Sequence, residues 1–194
     1  MKAVIFLTTV LALSACSNNN DTLLDEYLLD TSNSSTNTVE RYKACMLLSV
    51  LPSSEELIEK VKNNHSKNST CNTYLLAKYR INQRYTDTFI NNFPEKDALK
   101  PLWAMHSQSG YILGILPSSV QFLSELAKHN DDALDKLVSA IPYSDGAFAE
   151  SLVDIVSDMY IKMPKRVDAS FERVKLNIEE VSLIKETSEY KMGL

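Results

Sequence analysis

Glycine is scarce, with four residues in 194, and no two alternating apolar–polar runs are joined by an Asn-Gly or Asp-Gly turn. Asp145-Gly146 lies between two segments of helical periodicity instead. Both features exclude a hairpin-rich sheet. Positive charge is also short: 20 Lys and Arg stand against 25 Asp and Glu, a formal net charge of −5. Such a chain lacks the basic face that nucleic-acid binding requires, so no nucleic-acid partner is expected. Beyond the first residues no apolar run nears the roughly 20 residues that cross a bilayer, and Tyr111 to Leu116 falls far short.

Signatures of chemistry are missing as well. There is no Gly-x-Ser-x-Gly elbow, no Gly-x-x-x-x-Gly-Lys loop and no Gly-x-Gly-x-x-Gly turn. These absences exclude motif-bearing hydrolases and nucleotide binders, but not a site assembled from distant residues. His65, His106 and His129 are scattered, without a second His or a Cys at ligand spacing. Zinc needs three or four converging ligands, so neither a metal nor another cofactor is expected.

What is present starts at the N-terminus. Met1-Lys2 gives a positive start, and Ala3 to Leu13 is an uncharged, mostly apolar run of a length that suits an export signal. It ends in Leu13-Ser14-Ala15-Cys16, and polar Ser17 to Asp21 follows at once. This segment resembles the lipobox of bacterial lipoproteins: Leu, two small residues, Cys. The resemblance covers residues 1–16 only. It implies a diacylglyceryl group on the sulfur of Cys16, cleavage just before it, and acylation of the new amino group. Residues 1–15 are then a signal peptide, and 179 of the 194 residues remain. Several acyl chains, at about 0.8 kcal/mol per buried methylene, make the membrane a firm partner. Ser17, where an Asp tends to retain such proteins in the inner membrane, implies the outer membrane, facing the periplasm.

With Cys16 carrying lipid, Cys45 and Cys71 remain as an even pair in an oxidising compartment. A Cys45–Cys71 disulfide is the expectation; two buried free thiols are the alternative.

Residues 16–38 are expected to be the lipidated tether and linker. Within them Leu23, Leu24, Tyr27, Leu28 and Leu29 cluster at helical spacing, either docked on the domain or held near the membrane. Thr31 to Thr38, TSNSSTNT, suits a flexible linker. The helical domain spans 39–194. Apolar residues recurring every three or four positions predict helices over 39–51, 54–64, 70–92, 101–116, 118–129, 131–141, 145–163 and 168–191. Breaks fall at Pro52, Pro94, Pro117, Pro142 and Pro164, Pro101 suits a first helical position, and Ser53 with Glu56 suits a capping box. A helix end, a Pro and a Ser recur at 48–54, 113–119 and 138–144, with no fixed period. Recurring capping physics accounts for this, as does a stack of helix pairs. The expected fold is all-α, a single domain of seven to eight helices, either an irregular HEAT-like superhelix or a helical bundle.

Helix 101–116 holds the only Trp, with two Gly four residues apart. It is either a tightly crossed central helix or the wall of a groove lined by Trp103, His106 and Tyr111 that receives a partner or apolar ligand. Glu150, Asp154 and Asp158 form one acidic stripe opposite Phe148, Leu152, Ile155, Val156, Met159 and Met163, as expected of a solvated face opposite a core face, with Lys162 paired to Asp158. Tyr74, Tyr79, Tyr85 and Phe89, interleaved with Lys78, Arg80 and Arg84, read as core aromatics with snorkelling cations. Phe171, Val174, Ile178 and Val181 would form one seam along the last helix, inside the domain by default or otherwise an oligomer contact, and His129-Asn130-Asp131-Asp132 a helix end with the next helix's caps.

No residue is singled out as catalytic. The expectation is a membrane-anchored, non-catalytic module binding a protein or peptide, such as a toxin-immunity protein or an envelope assembly factor. The alternatives are an envelope enzyme built from dispersed carboxylates and His, and a carrier of an apolar ligand.

Overall fold

Asparagine side chains start several of the helices, and the fold follows from where they sit. Asn82 accepts a hydrogen bond from the backbone N–H of Arg84 (2.9 Å), Asn130 from Ala133 (2.9 Å), and Asn177 from Glu179 and Glu180 (3.0 Å each). Each satisfies donors that a helix leaves orphaned in its first turn. The computed structural model describes residues 24, 26–32, 38–50, 54–64, 70–79, 82–100 and 118–194. The fold is all-α, and no strand occurs among these residues. The helices are α1 (Thr38–Val50), α2 (Glu55–Asn64), α3 (Thr70–Lys78), α4 (Gln83–Asn91), α5 (Ser118–Ala127), α6 (Asp131–Ala140), α7 (Gly146–Lys162), α8 (Pro164–Val174) and α9 (Ile178–Met192). Two 3-10 turns, Lys96–Leu99 and Ile141–Tyr143, complete them, and a helical stretch over 26–32 precedes α1. The expected helix 101–116 lies outside the described residues. None of the described helices is long and apolar enough to cross a membrane.

Two long helices expected from periodicity are each broken in two. The segment 70–92 divides between α3 and α4, where Asn82 caps the second helix. The segment 168–191 divides between α8 and α9. Pro164 occupies the first turn of α8, so that helix begins earlier than expected. Lys175 then takes the left-handed conformation (φ 55°), and the N–H of Leu176 returns to the carbonyl of Phe171 (3.0 Å). Closure of this kind ends a helix whatever the apolar period does next. The consequence is that Ile178 is 83% exposed, while Phe171 is buried and Val174 and Val181 pack at the edge of the core. These four residues do not form one seam. At α2 the hydroxyl of Ser54 accepts from the N–H of Leu57 (3.1 Å); Ser53, the expected cap, lies outside the described residues.

The core runs through α6 and α7, which bury Leu134, Leu137, Val138, Phe148, Leu152 and Val156. Helices pack on those one or two places away in the chain: α3 on α4, α5 on α6, α6 on α8, α7 on α8 and α9. Tyr74, Phe89, Phe93 and Phe122 join α3, α4 and α5 in an aromatic cluster with centroids 5.3–5.9 Å apart. Tyr74 and Phe89 are thus core residues as expected. Where α7 meets α9, buried Ser157 and Ser188 let the backbones approach. Ser157 Oγ donates to the Ile184 carbonyl (3.1 Å), which also accepts from Ser188 Oγ (2.7 Å), and Ser188 Oγ lies 3.2 Å from the Ser157 carbonyl.

The Leu-rich stretch before the linker docks on the domain. Leu28 and Leu29 are buried, and Lys60 of α2 meets Glu26 at 2.7 Å. Thr31 and Ser32 continue that helix, their hydroxyls donating to the carbonyls of Tyr27 and Leu29 (2.8 Å each), so the expected linker loses its first two residues to it and its last, Thr38, to α1.

Candidate functional site

Four side chains singled out in the sequence, Cys16, Trp103, His106 and Tyr111, lie outside the described residues, as do His65 and Arg80. The other pair is joined. Cys45 on α1 and Cys71 on α3 form a disulfide, with Cα atoms 5.7 Å apart and both residues buried. Lys78, at the other end of α3, donates its Nζ to the carbonyl of Ser49 in the last turn of α1. That carbonyl belongs to the set a helix leaves without an internal partner. Burial pulls the Lys78 ammonium below its usual range. A covalent bond and a cation therefore both tie α3 to α1.

The acidic stripe on α7 meets a cation from another helix. Lys191 of α9 sits 2.5 Å from Asp154 and 2.8 Å from Asp158, and it also donates to the Asp154 carbonyl (3.0 Å). Burial pulls the Lys191 ammonium down, but its bonds to the two carboxylates outweigh that and raise it overall. The carboxylates are more than half exposed, so the stripe is a solvated face. The cation that joins Asp158 is Lys191 rather than the expected Lys162. Phe148, Leu152, Val156 and Met159 point the other way, into the core, as expected. Among the described residues, no group of three or more His, Cys, Asp or Glu is arranged to hold a metal ion.

Among the described residues, a dense polar cluster lies at the α5–α6 corner. Here α5 ends with the N–H groups of His129 and Asn130 both returning to the Leu126 carbonyl (3.0 and 2.9 Å), and Asn130 caps α6. The reading of this tetrapeptide as a helix end followed by caps therefore holds. Arg166 of α8 reaches into the corner. It donates to Asp131 Oδ1 from Nε (2.9 Å) and from a terminal nitrogen (2.5 Å), and to the carbonyl of Lys128 (2.6 Å). One guanidinium thus spans the C-terminal carbonyls of α5 and the N-terminal carboxylate of α6, favourable ends for each charge. A shallow polar recess of about 450 Å³ opens here, lined by His129, Asn130, Asp131, Asp132 and Arg166. Because its guanidinium is already committed to chain acceptors, the recess acts as a joint between helices. One turn further along α6, Asp135 takes two bonds from Arg173 (2.7 and 2.8 Å) and one from buried Ser170 (2.6 Å). Lys136 pairs with Glu95 beside the first 3-10 turn.

Arg166→Ala is expected to lower stability by about 1–2 kcal/mol, the worth of charge-assisted bonds discounted for partial exposure. The bond to Arg166 holds the Asp131 carboxyl below the ordinary carboxylate range, against the opposing effect of burial. A depressed carboxyl stabilises the fold above its unfolded pKa and loses that contribution as pH falls through its folded value. The gap between wild type and Arg166→Ala, measured by urea unfolding, should therefore shrink as pH drops from about 5 toward about 3.

Arg166, Arg173 and Lys191 escaped the sequence reading because their partners lie 33–38 residues away and no local period marks them. No family model, no curated protein and no solved structure matches the chain.

Proposed function

We propose that this is a lipid-anchored protein of the bacterial envelope whose helical domain binds a protein or peptide and performs no chemistry of its own. The observation that carries the reading is the N-terminal pattern: Lys2, an eleven-residue apolar run, then Leu13-Ser14-Ala15-Cys16 and a polar tether. Two features of the fold support it. The Cys45–Cys71 disulfide suits an oxidising compartment such as the periplasm. The strongest polar clusters, around Arg166, Asp135 and Lys191, join helix to helix. Ser17 after the lipidated Cys favours the outer membrane. Anchoring raises the local concentration of the domain near its target, so a modest intrinsic affinity suffices. Neutralising an incoming toxin and assisting assembly of an envelope machine are the two concrete roles that fit.

The test is crosslinking and pull-down of the tagged, lipidated protein from its own envelope. One stoichiometric protein partner is the expected result. Reproducible absence of any partner would overturn the binding role.

A further inference from the structure

Helix α9 buries one side and leaves four apolar residues exposed, Ile178 and Met192 on one flank and Leu183 and Tyr190 together on another. Its inner side carries buried Ile184 and Ser188 and partly buried Val181. At 100° per residue, Leu183, Glu186, Thr187 and Tyr190 share the opposite side, with Glu179 one turn earlier. Leu183 is 49% exposed and Tyr190 is 84% exposed. A helix with apolar residues on both sides has a second surface to cover. Tyr is moreover a residue type that anchors interfaces.

Charge decides what covers it. Both lysines of α9 turn toward the domain: Lys185 to Asp168 at 3.0 Å and over the Tyr160 ring, and Lys191 to Asp154 and Asp158. The outer side is left with Glu179 and Glu186 beside Leu183 and Tyr190, and with Glu189 at its edge. A second copy docked through this face would set carboxylate against carboxylate. Anionic lipid headgroups would meet the same repulsion.

We infer that the outer face of α9, centred on Leu183 and Tyr190 and flanked by Glu179 and Glu186, is the docking surface for a basic amphipathic helix of a partner protein. Apolar residues of the partner cover Leu183 and Tyr190, and its Lys or Arg side chains meet the glutamates. This names the surface of the binding role proposed above and rests on it.

Two labelled probe peptides of about 14 residues, four turns each, test the surface, with Leu on one side and either Lys or Glu on the other. Fluorescence anisotropy with the full chain should show micromolar binding of the Lys peptide that weakens as salt rises, and no binding of the Glu peptide. Leu183→Ser with Tyr190→Ser should weaken it at least about tenfold, the range expected for interface anchors. Glu179→Lys with Glu186→Lys should exchange the preference of the two peptides. These positions are exposed, and an unchanged thermal midpoint confirms that each variant is folded. Equal binding by wild type and the Leu183/Tyr190 variant, or binding of neither peptide, would overturn the proposal. So would a concentration-dependent dimer that the same variant abolishes, which would assign the face to a second copy. If envelope crosslinking recovers the partner equally well from that variant, the binding role stands and this surface falls. If crosslinking recovers no partner from wild type, the binding role itself falls.

Discussion

Replacing Cys45 and Cys71 together by Ala is expected to lower unfolding free energy by about 3.5 kcal/mol, which in a chain of this size lowers the melting midpoint by roughly 7–14 °C. The disulfide spans 26 residues of sequence, and closing a loop of that length removes conformational freedom from the unfolded chain. In the folded state it fastens α1 to α3 across the segment that contains α2. Urea unfolding of wild type and the double variant checks the magnitude. Adding a thiol reductant should bring the wild type down to the variant and leave the variant unmoved. Equal stability of the two proteins without reductant would mean that the bond contributes nothing.

Phe148→Ala is expected to cost about 3–5 kcal/mol, the range for truncating a fully buried aromatic. Phe148 is 1% exposed and sits in the first turn of α7, two residues after Gly146 and its Asp145 cap. It heads the inward side that continues through Leu152 and Val156. The surrounding helices α6, α8 and α9 close on α7 from several directions, so the cavity left by the ring has little room to collapse. Phe148→Leu keeps most of the volume and should cost less than about 1.5 kcal/mol. Thermal or urea unfolding of both variants separates the cavity contribution from loss of apolar surface alone.

The all-α character was legible because the periodicity is strong and glycine is rare. At three boundaries marked by a local chemical signal the reading came within a residue or two. Asn130 opens α6, Asp145 opens α7, and Ser118 begins α5. Where the signal was only apolar period, it failed. Phe171, Val174, Ile178 and Val181 keep a helical spacing across a junction that Lys175 and Asn177 break, because backbone closure and capping act on two or three residues and override a period read over fifteen. The caps at Asn82 and Asn177 were visible in the sequence but stood inside runs whose period continued through them. The disulfide was legible by pairing once Cys16 had been set aside. The joints at Arg166, Asp135 and Lys191 were not, since nothing local tells an Arg of α8 that its carboxylate lies on α6. The outer face of α9 needed the fold as well: only after Ile184 and Ser188 were placed inward did Leu183 and Tyr190 stand out as uncovered.

The proposed Cys16 modification would set compartment, anchoring and the pairing of the other two sulfurs, and intact-mass spectrometry of native protein before and after reduction tests it most directly. The account predicts a chain that begins at Cys16 and carries the added mass of a diacylglyceryl group and an amide-linked acyl chain. On reduction it gains two hydrogens as Cys45 and Cys71 separate. A chain that retains residues 1–15, or whose Cys16 sulfur is bare, would contradict it.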